Sequence, residues 1–341
     1  MDPREYIPAY LEQAYLASHT DLTPAARQLV HEQIMRNPAQ YAADDHARAL
    51  ISYGQVHEGM MRALERMDDL PDEEFDRQRE QLFGQTRLAL HEIVRDDKLC
   101  IDAQLLDILL ADVPIDSCLN DLLKLEDTVH EHLRALPEFD DDAPAFWRAE
   151  KLVDMDEALR TRSDPTMIGW LHTLEAIAQL SLASSRYRAA IRYARCAMRA
   201  RGYTNYAVGT VLLALARLED EEGFFACVRE ADASLAVEDS PWFLLGRTLL
   251  LYKLGRRKNA RRALRDFSSR CEGGAFFLLN PTYLTPYLPV RPAVREAWEL
   301  THQAVWEADG IIVDTPDFVG WAASVEGIED ASERFAQRYG F

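Results

Sequence analysis

Residues 167–201 read MIGWLHTLEAIAQLSLASSRYRAAIRYARCAMRAR, and the reading of this stretch decides the fold. Leu171, Leu174, Ile177, Ala178 and Leu182 fall at helical spacing in its first half. Ala190, Ile191, Ala194, Ala197 and Met198 do so in its second. Between them lies a tight Ser184-Ser185-Arg186 turn. The spacing predicts two amphipathic helices paired as a hairpin, with Ala178, Ala190 and Ala197 small enough to let the backbones approach closely. Neither helix has the apolar surface to bury its face alone. The hairpin therefore needs neighbours on both sides, as the units of a repeat array do.

The rest of the chain agrees with an all-α protein. It has 341 residues, 48% hydrophobic and 28% charged, ordinary for a globular chain and long enough for about two domains. Ala, Leu and Arg dominate, and β-branched runs are scarce. Arg outnumbers Lys 33 to 5, which reads as codon bias rather than function, and a bacterial chain is expected. The five cysteines are spread widely without a C-x-x-C, and three sit on apolar-periodic helices as small buried hydrophobes. The opening MDPREYIPAY is polar and lacks the apolar segment of a signal peptide. No apolar run approaches the ~18 residues of a membrane span. A cytoplasmic location is expected.

The net charge of −19 is unevenly placed. Residues 1–163 hold 35 acids and 17 bases, whereas residues 164–341 hold 22 and 21. Within the latter, Arg186–Cys271 carries 17 bases against 9 acids and is locally basic. An acidic chain repels nucleic acid and anionic membranes over most of its surface, which disfavours both as partners. A local basic face remains open to an acidic partner.

Outward from the central hairpin, helices are expected at 3–18, from Thr23-Pro24 to Asn37-Pro38, from Asp44-Asp45 to Met67, and from Pro71 to Arg95. Further helices follow at 99–111, 115–136 and 144–161, with Glu138–Asp142 as an exposed loop. Ser163-Asp164-Pro165 combines cap residues, proline and a change in charge balance, and marks a boundary. Beyond it come the central hairpin and helices at 204–218, 222–236, 241–254 and 256–270. Gly273-Gly274 breaks the pattern, and four prolines (Pro281, Pro286, Pro289, Pro292) forbid a helix in the segment AFFLLNPTYLTPYLPVRP that follows. Its run at 276–292 is too apolar for a free linker and reads as a cap over the end of the array, with a ligand presented to another protein or a catalytic lid as the alternatives. Val294–Glu307, a short helix capped by Thr315-Pro316 and running through Ala323, and a last helix at 330–338 complete the chain, with β-branched Ile311–Val313 between. Three regions result: an acidic helical domain at 1–163, paired helices at 164–272, and a Pro-rich capping segment with terminal helices at 273–341.

The middle region resembles tetratricopeptide repeats. Leu174, Ile177 and Ala178 match the first-helix pattern of that family, with Leu174 where Trp is usual. Tyr187, Ala190, Ile191 and Ala197 match the second. Trp242, Leu245 and Gly246 repeat the W-x-x-L-G spacing, followed by Leu254-Gly255 and Ala260. Ala190 and Ala260 stand 70 residues apart, close to two 34-residue repeats. The Trp242 hairpin carries two extra residues, and Asn205–Ala236 matches poorly. The resemblance implies a right-handed helical-hairpin solenoid over about residues 167–270. It also implies that His172, Glu175, Gln179, Tyr206, Arg217, Phe243 and Arg247 face a concave groove suited to a peptide with a carboxylate, or filled by the chain's own terminal segment.

No H-E-x-x-H, G-x-S-x-G, phosphate-cradling glycine loop or dinucleotide fingerprint is present. His130 and His132 diverge on a helix and cannot converge on a metal, and Asp140–Asp142 lacks the alternation of a calcium loop. No catalytic, cofactor or metal residues are therefore assigned. The strongest pattern is cationic. Arg188, Arg192, Arg195 and Arg199 form one stripe at i, i+4, i+7 and i+11, and Arg257, Arg261 and Arg265 form another beside Arg256, Lys258 and Arg262. The resemblance places these stripes on the convex surface, where they either dock an acidic partner or the chain's own acidic first half, or cover apolar surface with their stems. The expected function is that of a non-enzymatic adaptor for a protein or peptide. A peptide-sensing regulator similar to bacterial pheromone receptors of the tetratricopeptide kind is the alternative, and an all-α enzyme with scattered catalytic residues comes third.

Overall fold

The computed structural model describes residues 3–19, 21–67, 70–136, 139, 164–199, 207–231, 236–283 and 296–341. Among these there are sixteen α-helices and no strand, and no helix is long and apolar enough to cross a membrane. The chain divides into two compact units, Met1–Ala176 with Arg199–Tyr203, and Ile177–Met198 with Thr204–Phe341.

The first unit holds α1 (Pro3–Ser18), α2 (Pro24–Arg36), α3 (Asp45–Glu65), α4 (Asp72–Asp96), α5 (Ile101–Leu109), α6 (Ile115–Arg134) and the first two thirds of α7 (Pro165–Ala183). The starts are set by local chemistry. The Thr23 hydroxyl accepts from Ala26 N at 3.3 Å ahead of Pro24, and the Asp44 carboxylate accepts from Ala47 N at 2.7 Å. The long α3 and α4 pack together, and α4 packs on α5. Leu50, Met60 and Leu64 of α3 and Leu90 and Ile93 of α4 are buried, one stripe from each helix. Gly169 of α7 stands so close to α5 that a Cβ would lie 2.6 Å from that of Ile101.

The second unit continues from the end of α7 through α8 (Tyr187–Met198), α9 (Ala207–Arg217), α10 (Glu221–Glu230), α11 (Pro241–Lys253) and α12 (Arg257–Arg270). Three turns join α7 to α8, α9 to α10 and α11 to α12, and all three have one geometry. Ser185, Glu219 and Gly255 are left-handed at φ 61°, 60° and 72°. In each turn the next residue donates five positions back: Arg186 to Ser181 O at 2.7 Å, Asp220 to Leu215 O at 3.1 Å, and Arg256 to Leu251 O at 3.0 Å. This is the Schellman closure, which satisfies carbonyls left over at the helix end. The three left-handed residues are spaced by 34 and 36 positions. Five residues after each comes a fully buried one: Ala190, Phe224 and Ala260.

α8 packs on α9, α9 on α10 and α11, and α11 on α12. α14 (Ala297–Val313) lies against both α9 and α11. Before it, α13 (Gly274–Leu279) packs on α12, α14 and the terminal helices α15 (Phe318–Ala323) and α16 (Ile328–Tyr339). The prolines therefore do not exclude helix at Phe276–Leu279. They begin only at Pro281, and the constraint of a proline reaches back one residue. Phe276 and Phe277 are buried against Phe335 and Phe341. The rest of the predicted cap, from residue 284 to 295, lies outside the described residues, as do the helix expected at 144–161 and all of the acidic loop except Phe139.

Ile311–Val313 close α14 rather than forming a strand, since burial of Ile311 and Ile312 outweighs the weak helix preference of β-branched residues. Thr315 does not cap the helix after it. Its hydroxyl donates back to Ile311 O at 2.7 Å, and Asp317, left-handed at φ 58°, starts α15. The helix expected to reach residue 236 stops at Glu230, where Ala231 turns extended at ψ 150°.

Candidate functional site

The second helices of the hairpins, α8, α10 and α12, sort their residues by size and charge. On α8, Ala190, Ala194 and Ala197 are fully buried, and Arg188, Arg192 and Arg195, with Arg199 just past its end, are exposed. On α12, Ala260, Ala263, Leu264 and Phe267 are fully buried, and Arg257, Arg261 and Arg265 are exposed. Each helix thus turns its small or apolar side inward and its cations to solvent. α10 packs on α9 and is linked to both other second helices by charged residues. Arg195 stands near enough to oppose the rise that burial imposes on the Cys227 thiol, which reaches about 11. Arg256 at the start of α12 grips Glu221 at the start of α10 with two bonds of 2.5 and 2.7 Å.

The two stripes differ in how far they are already used. Along α12, the Arg257 guanidinium sits 3.5 Å over the Tyr252 ring and near Trp321, and Arg265 donates to Glu326 at 3.2 Å. These two fasten the terminal helices. Elsewhere in the unit Arg247 pairs with Asp266, Lys253 with Glu219, Arg270 with Asp239 and Arg338 with Glu272. Arg188, Arg192 and Arg195 on α8, and Lys258, Arg261 and Arg262 on α12, are exposed and have no carboxylate partner among the described residues. Arg229 on α10 is in the same position and was not singled out in the sequence, because its hairpin departs from the repeat pattern.

The described groove residues are divided between the two units. His172 and Glu175 fall in the first unit, and Gln179, Arg217, Phe243 and Arg247 in the second. Tyr206 lies outside the described residues. Phe243 is buried against Phe224, with the Arg247 guanidinium 5.7 Å from its ring centroid. Arg217 donates from Nε to Asp314 Oδ2 at 2.8 Å, just beyond α14. That hydrogen bond holds the guanidinium pKa above its ordinary value. Two more anchors fix the same helix and its following turn. Trp242 Nε1 donates to Glu307 at 2.7 Å, and the Tyr252 hydroxyl to Pro316 O at 3.0 Å. The first-helix face of α9 and α11 is therefore covered by the chain itself.

The first unit contains a buried polar cluster that the sequence did not signal. The Tyr6 hydroxyl donates to Asp102 Oδ2 at 2.6 Å, and His172 Nδ1 stands 2.8 Å from Asp102 Oδ1. Burial alone would raise the Asp102 carboxyl, but the His172 charge and the two hydrogen bonds outweigh it and hold the group below the usual carboxylate range. Burial and the Asp102 charge push the Tyr6 phenol well up. The cluster ties α1, α5 and α7 together. A second one joins α6 to α7, where Trp170 Nε1 donates to Glu126 at 3.0 Å and the His130 ring lies 4.9 Å from that of Trp170. His130 is thus half-buried against an indole. No group of three or more metal-ligating side chains occurs among the described residues.

Comparison of the chain with family models, with curated proteins and with solved structures returned no match.

Proposed function

We propose that the second unit is a tetratricopeptide-like helical-hairpin solenoid, and that the protein is a non-enzymatic adaptor which binds a protein or peptide partner in the cytoplasm. The observation that carries this reading is the threefold recurrence of one turn at Ser185, Glu219 and Gly255, spaced 34 and 36 residues apart. Stacked hairpins of this kind expose a broad rigid surface while burying little that could form an enclosed reaction site. The sensor alternative needs a peptide pocket on the first helices. Arg217 there is already engaged by Asp314 and Trp242 by Glu307, which favours an adaptor working through its outer side.

Affinity capture with the full chain from its native cells, followed by light scattering on the purified complex, tests the proposal. A stoichiometric complex with a protein or peptide is expected. Recovery of the chain alone, together with turnover of a small-molecule substrate, would replace the adaptor with an enzyme.

A further inference from the structure

We propose that the basic face of α8, α10 and α12 is the docking surface, and that its partner is an extended acidic segment of another protein. This rests on the adaptor reading and specifies its contact surface. Arg188, Arg192 and Arg195 stand at i, i+4 and i+7, so their side chains repeat over about 10 Å of one helix side. Like charges at this spacing repel one another. No carboxylate among the described residues relieves them, although seven other cations of the unit (Arg217, Arg247, Lys253, Arg256, Arg265, Arg270 and Arg338) each have one. Lys258, Arg261 and Arg262 repeat the situation on α12. Among the described residues the cations of the three hairpins without a carboxylate all lie on the second helices, while the first helices α9 and α11 are covered by α14.

The spacing of this face sets the chemistry of its ligand. α10 meets α8 through Arg195 near Cys227 and α12 through the Arg256–Glu221 pair, and two helix spacings of about 8–10 Å make roughly 20 Å the span a ligand on both stripes has to cover. An extended chain rising about 3.3 Å per residue crosses that distance in about six residues. Arg229 offers a cation on the way, but Glu222 and Glu230 of α10 are also exposed. The fitting segment therefore carries carboxylates at both ends and fewer in the middle. A short acidic peptide meets only this face. A nucleic acid extends past it and meets the field of a chain with net charge −19.

Fluorescence anisotropy of a labelled octaglutamate peptide with the full chain at low salt tests the assignment. Binding is expected to weaken at least tenfold in R192E/R195E and again in R261E/R262E, and to change less than twofold in R334E. Arg334 is an exposed cation on α16 with no carboxylate partner among the described residues. The neutral pair R192Q/R195Q, at unchanged circular dichroism, is expected to weaken binding by an intermediate amount. Equal binding by wild type and both double variants would overturn the proposal, as would an equal loss in R334E. Tighter binding of a duplex oligonucleotide, abolished by the same variants, would assign the face to nucleic acid instead. A native partner retained equally by wild type and R192E/R195E would remove the surface and leave the adaptor; absence of any partner from both would remove the adaptor itself.

Discussion

Gly209 gives the sharpest test of how the hairpins stack. It sits in α9 where α11 crosses it, and a Cβ added there would lie 2.5 Å from both Cγ and Cδ1 of Trp242 and 3.0 Å from Cδ2. That ring cannot step aside freely, because it is buried and its Nε1 is bonded to Glu307. In a helix interior alanine is favoured over glycine by about 1 kcal/mol. Overpacking of a rigid core costs about 1–3 kcal/mol. The opposing terms leave Gly209→Ala net destabilising by about 1 kcal/mol, a fall of roughly 2–4 °C in melting temperature for a unit of this size. Gly310 in α14 is the matched control, helical and with nothing within 4 Å of an added Cβ. There the same substitution raises stability by up to about 1 kcal/mol. Thermal melting by circular dichroism, with urea unfolding followed through tryptophan fluorescence, reads both. If Gly209→Ala stabilises as much as Gly310→Ala, then α9 and α11 do not approach as described, and the stack has lost its central contact.

The remaining predictions concern the turns, the buried acid and the thiols. A left-handed conformation costs a residue with a side chain roughly 1–2 kcal/mol, so Gly255→Ala lowers the urea midpoint and Glu219→Gly raises it; opposite signs would separate the turns physically. Asp102→Asn breaks a buried pair and costs about 3–5 kcal/mol at neutral pH. Because the folded Asp102 carboxyl titrates below its unfolded value, its stabilisation is full above about pH 4 and is lost as the pH falls through the lower folded value. Urea midpoints between pH 2 and pH 7 should therefore show a flatter acid limb in the variant; an unchanged limb would show that Asp102 is not ionised when folded. Burial raises the Cys227 and Cys271 thiols to about 11 and 12, so in the native protein at pH 8 both resist iodoacetamide, and half-buried Cys196 is alkylated before them as mass spectrometry of the digest reports.

What the sequence disclosed was local, and what it hid was a matter of partners far along the chain. The hairpin around Ser185 and the pair α11 and α12 were legible because their turns, caps and alternation of apolar and charged residues lie within 35 residues. The hairpin of α9 and α10 matched poorly for a reason visible only in three dimensions. Phe224 stands where the other two second helices carry Ala190 and Ala260, and the space for its ring is left by Gly246, whose added Cβ would lie 3.2 Å from Phe224 Cε2. A large residue has been exchanged for a small one across an interface, which keeps the packing and erases the motif. The cationic stripes were legible as patterns on one helix, but the partners of Arg265 and Arg257, Glu326 and Trp321, lie some 60 residues later. Asp102 reads in sequence as a first-turn acid at a helix N-terminus, and nothing nearby reveals that Tyr6 and His172 converge on it.

The docking of an acidic segment on the second helices is tested most directly by arginine side-chain NMR of the full chain during titration with octaglutamate. The Nε resonances of Arg188, Arg192, Arg195, Arg261 and Arg262 are predicted to shift together along one binding curve, while those of Arg217 and Arg247, held by Asp314 and Asp266, stay in place. Shifts confined to Arg217 and Arg247, with the exposed arginines unmoved, would put the partner in the groove and contradict the account.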